Sequence, residues 1–229
     1  MLRDNIAAIR ERIIRAAERS GRQAKEVKLV AVSKTVDAGA IKEAIKTGLR
    51  IFGENRVQEA RDKIAILRFE AANQDLEWHL IGHLQRNKAK YAVGLFELIH
   101  SVDSVALADE LQRQADKAGR AQRILVEVKL SEEDTKAGIA EKDLAALVEH
   151  ISGLKDLVLE GLMMMPPFFG NPEEARPYFR RLRELRDELQ NNGFNLPELS
   201  MGMSNDFEVA IEEGATLVRV GTSIFGERS

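Results

Sequence analysis

The sequence predicts an α/β protein: a single (β/α)8 TIM-like barrel with an extra N-terminal helix, with residues 1–229 forming one domain. Three observations carry that expectation. Short apolar runs alternate strictly with amphipathic stretches, eight such runs fall within about 200 residues, and no Gly-x-Gly-x-x-Gly follows any of them. Strict alternation implies parallel neighbours, because parallel strands need crossover connections. Eight of them at this length fit a closed barrel at the small end of its range. The alternative is an open doubly wound sheet, which the missing dinucleotide fingerprint disfavours. No Pro/Gly-rich linker, repeat or low-complexity tract marks a second domain.

Taken in order, residues 4–20 place Ile6, Ile9, Ile13, Ile14 and Ala17 at helical spacing, and Gly21 can end that helix. This helix either covers the barrel or stands in for a helix missing after the eighth strand. The first apolar run, at 28–33, holds Leu29, Val30, Ala31 and Val32; it is too short for a helix and rich in β-branched residues. Further strands are expected at 49–53, 78–81, 96–102, 124–130, 158–164, 198–203 and 217–220. Helical patterns lie between them at about 37–47, 55–70, 85–92, 104–118, 141–152, 173–191 and 206–213. Asp37 is positioned to cap the second helix and Asp103 or Ser104 a later one. Gly48, Gly119, Gly193 and Gly214 fall near helix ends.

Composition narrows the classes of function. The formal net charge is −3, from 34 basic and 37 acidic residues, so no global field recruits nucleic acid or an anionic membrane. The absence of cysteine excludes disulfides, thiolate metal sites and cysteine nucleophiles, and suits a reducing compartment. No apolar run approaches the roughly 20 residues that span a bilayer. The N-terminus is charged and amphipathic rather than a signal peptide, so a cytoplasmic protein is expected.

In a barrel the C-terminal ends of the strands face the active-site mouth. Strand one ends at Ser33-Lys34-Thr35, an amine directly after a buried run. It is either a solvated cation closing the strand or a partly desolvated amine, which can condense with an aldehyde. Strand two brings Asn55 to the mouth, strand three His79 and His83, and strand four His100, Ser101 and Asp103. Strand seven brings Gly202, Met203 and Ser204, and strand eight Arg219, Gly221 and Thr222. Gly202, Ser204, Gly221 and Thr222 look like an anion site, with small residues, hydroxyls and helix N-termini at the corner where barrels place phosphate. An amine opposite a phosphate corner suits two classes: a pyridoxal phosphate protein, or an aldolase acting on a sugar phosphate.

Five ordered motifs make a resemblance specific. Val-Ser-Lys-Thr (32–35), Phe-Gly-Glu-Asn-Arg-Val-Gln-Glu (52–59), Trp-His-Leu-Ile-Gly-His-Leu-Gln-Arg-Asn-Lys (78–88), Leu-Ser-Met-Gly-Met-Ser-Asn-Asp (199–206) and Val-Arg-Val-Gly-Thr-Ser-Ile-Phe-Gly (218–226) resemble the pyridoxal phosphate homeostasis protein family. The similarity runs from about residue 5 to residue 226. It implies a barrel related to the N-terminal domain of alanine racemase, binding pyridoxal 5′-phosphate as a Schiff base on Lys34. It also implies Asn55 beside that base, Met203 among the cofactor-binding residues, the phosphate on Ser204, Gly221 and Thr222, and Arg219 facing the pyridine nitrogen. The histidines themselves read as structural, with a place for His79 close to the ring as the alternative. The implied function is to carry or buffer the cofactor and maintain its homeostasis without established catalysis, with apo pyridoxal phosphate enzymes as recipients, as a monomer or weak dimer. Departures from the family pattern are Asp37 where proline is frequent, Lys129 where asparagine is common, and the methionine- and aromatic-rich segment 163–169.

The alternative is a fold-type III amino-acid racemase. A cationic Arg219 opposes protonation of the ring nitrogen and so weakens the cofactor as an electron sink. Racemisation also needs an acid/base on the second face of the cofactor, and Tyr91 and Tyr178 both read as packing residues in helical segments. His79 and His83 stand four apart, but on a strand and loop rather than a helix, so no metal site is expected. Met163–Met165 read as barrel core. Lys136 is either a solvated loop lysine or a secondary amine for cofactor transfer, and the charged run 176–188 is a solvated helix face.

Overall fold

A computed structural model describes residues 1–70, 75–131 and 137–226, with the backbone alone at 68–70. Lys136 lies outside the described residues. Eight parallel strands close on themselves: β1 (Lys28–Val32), β2 (Ile51–Glu54), β3 (Glu77–Leu80), β4 (Leu98–Val102), β5 (Gln122–Lys129), β7 (Leu157–Met163), β8 (Glu198–Ser200) and β9 (Leu217–Val220). Each pairs with the next, β4 pairs with β5, and β9 returns to β1 with Val30 opposite Arg219, so the barrel has no open edge. The expected α/β barrel is the fold of this chain. A two-residue strand without a signal in the sequence, β6 (Ile139–Ala140), extends β5 beyond the barrel.

Side-chain alternation divides the apolar residues into two cores. Val30, Leu98, Leu125, Met163 and Leu217 face inward and fill the barrel. Ala31, Phe52, Trp78, Ile99, Val126, Leu162 and Val218 face outward and join the helices in the larger core. There the rings of Phe52 and Trp78 stack at 5.3 Å.

The helices are α1 (Leu2–Arg19), α2 (Ala38–Lys46), α3 (Val57–Glu70), α4 (Ala89–Ala92), α5 (Val105–Ala118), α6 (Glu141–Ser152), α7 (Arg176–Asn191), α8 (Phe207–Glu212) and α9 (Thr222–Phe225). Asp37 caps α2 as expected, its carboxylate accepting from the Ala40 N–H at 3.0 Å. The pattern at 85–92 resolves into a 3-10 turn, Arg86–Lys88, followed by the single turn α4.

α1 stands in the helix ring. It buries Ile6, Ile9, Ile13, Ala16 and Ala17 and packs between α8, α9 and α2. Arg12 forks onto Glu208 at 2.6 and 2.9 Å with its guanidinium over the Phe207 ring, and Asn5 donates to the Ile224 carbonyl. Because α9 is one turn long, α1 supplies the cover that a full helix after the last strand would give. No helix among the described residues is long and apolar enough to cross a membrane.

Candidate functional site

The lip carrying Lys34 is a strained turn held from behind. Past β1 the chain turns at Ser33, whose hydroxyl donates to Glu54 Oε1 at 2.6 Å and whose carbonyl accepts from the Val36 N–H at 3.0 Å. Thr35 has φ +61°, the one non-glycine residue in the left-handed region among the described residues. A β-branched residue resists that conformation, so it persists only where its surroundings over-determine it. Those surroundings are Glu59, which accepts the Thr35 N–H at 2.5 Å, and Lys63. The Lys63 ammonium donates to Ser33 O, Glu54 Oε1 and Glu59 Oε1 at 2.6, 3.0 and 2.6 Å. Burial raises the pKa of Glu54, opposed by its bonds to Ser33 and Lys63. The turn delivers the half-buried Lys34 to the mouth.

Opposite Lys34, the chain leaves β8 through Gly202 at φ +89°, so the strand stops three residues short of the expected 203. A Cβ there would lie 2.6 Å from Ala210 Cβ and 2.9 Å from Phe207 Cα, so only glycine lets the turn press against α8. Asp206 accepts the Met203 N–H at 2.6 Å, and burial raises its carboxyl. Ser204 Oγ then accepts from the Gly221 N–H at 3.3 Å and the Thr222 hydroxyl at 3.1 Å. The result is a small polar corner where α8 and α9 begin. Both helices are short, so the hydroxyls and backbone N–H groups at their starts matter more there than any macrodipole.

Arg219 forms the floor. It is 3% exposed, donates from Nη1 to Ser200 Oγ and from Nη2 to the Met164 carbonyl at 2.8 Å. Burial pulls its pKa down to about 10, opposed by Glu127 and Asp206, and it remains a cation at neutral pH. Glu127, in the inward register of Leu125, is 2% exposed, and its Oε2 has no partner among the described residues. Burial pushes its carboxyl up to about 7, against the pull of Arg219. Glu127 is absent from the residues expected at the site; its signal in the sequence is an acid two residues beyond Leu125 in an otherwise apolar run.

Lys34, Asn55, Met203, Ser204, Arg219, Gly221 and Thr222 all line one cavity of about 480 Å³. Ile81, Gly82, His83 and the segment 165–169 complete its wall, with Phe168 86% exposed at the rim. Gly82 is what lets strand three approach strand two here: a Cβ would lie 2.4 Å from the Asn55 carbonyl oxygen. Asn205 ties the rim down by donating to the Phe169 carbonyl at 3.1 Å. Met165 belongs to this wall, not to the barrel core where Met163 sits.

His79 does not line the cavity. Its side chain is 1% exposed inside the barrel, with Nδ1 3.0 Å from His100 Nε2, the setting of a structural histidine. His83 stands at the mouth, 3.6 Å from Asp103. Tyr178 packs on Phe169 at 5.7 Å, whereas Tyr91 is not a packing residue but an exposed one beside Lys90. No group of three metal-ligating side chains occurs among the described residues.

Comparison with known proteins places this geometry in a family. The model of the alanine racemase N-terminal domain matches residues 5–229. A pyridoxal phosphate homeostasis protein of Aquifex aeolicus (strain VF5) is 50% identical over 226 residues, covering 98% of this chain and 97% of its own. Its namesake in Pseudomonas aeruginosa is 43% identical over 225 residues, covering 98% and 95%. The solved structure of PipY from Synechococcus elongatus PCC7942, with PLP bound, superposes with a TM-score of 0.87 at 42% identity. The match covers 99% of this chain and 100% of that one.

Proposed function

This chain belongs to the pyridoxal phosphate homeostasis protein family, and we propose that it binds pyridoxal 5′-phosphate in the barrel mouth and carries or buffers the cofactor in the cytoplasm. One observation carries the reading: an amine, a hydroxyl-and-amide corner and a buried guanidinium converge on a single cavity of about 480 Å³. When bound, the cofactor supplies an aldehyde that condenses with a primary amine and a pyridine ring that withdraws electrons.

The residues present fit that group. Lys34 would hold the aldehyde carbon, and Ser204, Gly221 and Thr222 the phosphate, with Met203 and Asn55 fixing the position of the ring. The Gly202 turn, which a Cβ would obstruct, brings the phosphate corner close enough to do so. Arg219 would meet the pyridine nitrogen; as a cation held by Ser200 and Met164 it discourages protonation there. His79 would act through His100 rather than by contact. A ring kept unprotonated is a weak electron sink, which favours holding the cofactor over using it, and apo enzymes are its recipients. Residues 1–229 act as one cofactor-binding unit.

The test is to load the protein with pyridoxal 5′-phosphate, remove free cofactor, and divide the sample. One half, mixed with an apo pyridoxal phosphate enzyme, is expected to restore that enzyme's activity. The other, incubated with L-alanine or L-serine, is expected to form no D-isomer. Failure to load, or steady D-isomer formation that Lys34→Ala abolishes, contradicts the proposal.

A further inference from the structure

We propose that a hydrogen-bonded chain running the length of the barrel interior, Arg219–Ser200–His100–His79–Glu77, holds Arg219 in place, making Glu77 at the opposite end of the barrel a positioning residue for the mouth. The identity of the ligand rests on the function proposed for the mouth; the hydrogen-bonded chain does not.

The links are continuous. Arg219 Nη1 donates to Ser200 Oγ, which lies 2.8 Å from His100 Nδ1. His100 Nε2 is 3.0 Å from His79 Nδ1, and His79 Nε2 is 3.3 Å from Glu77 Oε2. Ser200, His100 and His79 are each at most 1% exposed, so water does not compete for these bonds. Burial keeps both imidazoles below their ordinary pKa and therefore neutral, despite the pull of Glu77 on His79. Glu77 is held down to about 2 by its bond to His79, with help from Arg123 at 3.2 Å, and is a carboxylate.

The two ends fix the polarity of everything between them. A guanidinium only donates and a carboxylate only accepts. His79 must therefore present Nε2–H to Glu77 and a bare Nδ1 to His100. His100 must donate from Nε2 and accept at Nδ1, which the Ser200 hydroxyl supplies while accepting from Arg219. The reverse order would point the Nε2 lone pair of His79 at the Glu77 carboxylate. One tautomer survives at each ring, and every hydrogen bond points from the mouth to the far end. Removing Glu77 removes the acceptor that imposes this order; both rings are then free to exchange tautomers, and the Ser200 hydroxyl beneath Arg219 no longer has one fixed direction.

Glu160 provides an internal control. It accepts two bonds from Arg123, at 2.7 and 3.0 Å, at the same end of the barrel but outside the chain of hydrogen bonds. Two measurements decide the matter. Imidazole nitrogen NMR of the protein without added ligand is expected to show His79 and His100 as neutral Nε2–H tautomers, with a mixture at His100 in Glu77→Ala. Titration with pyridoxal 5′-phosphate is expected to show affinity about 3- to 10-fold weaker for Glu77→Ala, the loss of one hydrogen bond's worth of positioning. Glu77→Gln, which keeps an acceptor, should recover most of it, and Glu160→Ala should stay within about 2-fold. Nδ1–H or protonated rings, or equal losses for Glu77→Ala and Glu160→Ala, would overturn the proposal. If no variant, nor the parent protein, takes up the cofactor, the proposed function fails while the NMR result still decides the hydrogen-bonded chain.

Discussion

A carboxyl group in the interior of a barrel is costly wherever it must ionise, and Glu127 sits 2% exposed with one oxygen unpartnered among the described residues. Its folded pKa of about 7 lies above the ordinary 4.5, so folding favours the protonated form. The penalty is fully present above pH 7, shrinks as pH falls from 7 towards 4.5, and is absent below that. Glu127→Gln is accordingly expected to stabilise the protein by about 1–3 kcal/mol at about pH 8 and to change little near pH 4.5, read from urea midpoints. Equal shifts at both values would contradict it. Lys34 is legible in the sequence because a charge one serine beyond four apolar residues is conspicuous. Glu127 is not, because inward and outward residues of a barrel strand cannot be told apart until the register is known. The left-handed Thr35 is hidden for a different reason: its conformation is imposed by Glu59 and Lys63, more than twenty residues downstream.

Most strands and all the longer helices are readable from periodicity, and α6 and β9 begin and end where the pattern places them. β6 has two residues and α9 a single turn of four, too few for any period to register. β8 is three residues long because Gly202 and the Asp206–Met203 bond turn the chain into the mouth, a tertiary demand that an apolar run cannot announce. The Asn55–Gly82 contact belongs to this scale. Gly82→Ala places a methyl group within 2.4 Å of the Asn55 carbonyl, so one backbone or the other must move. The expected outcome is a loss of about 1–3 kcal/mol in stability together with weaker uptake of pyridoxal 5′-phosphate, measured by urea unfolding and by titration. Parent-like values in both would show that Asn55 is not held by this contact.

For the whole molecule, the closed barrel divides the labour between its two ends and its rim. The far end is tied by ion pairs such as Arg123–Glu160 and Lys28–Glu198, while the strand ends at the mouth carry Lys34, Asn55, Ser204 and Arg219. α1 completes the helix ring beside α8 and α9, next to the β8 and β9 loops that form the polar corner of the mouth. Eight alternating runs make the barrel readable, and five motifs make seven of its mouth residues readable. The interior chain of hydrogen bonds beneath Arg219 is not, because its members come from β3, β4, β8 and β9 and meet only on closure. The most direct measurement is peptide mapping of the protein after incubation with pyridoxal 5′-phosphate and reduction with borohydride. A pyridoxyl group on Lys34, absent from Lys34→Ala, is the expected result; an unmodified Lys34, or modification that survives in Lys34→Ala at another lysine of the mouth, would contradict the site.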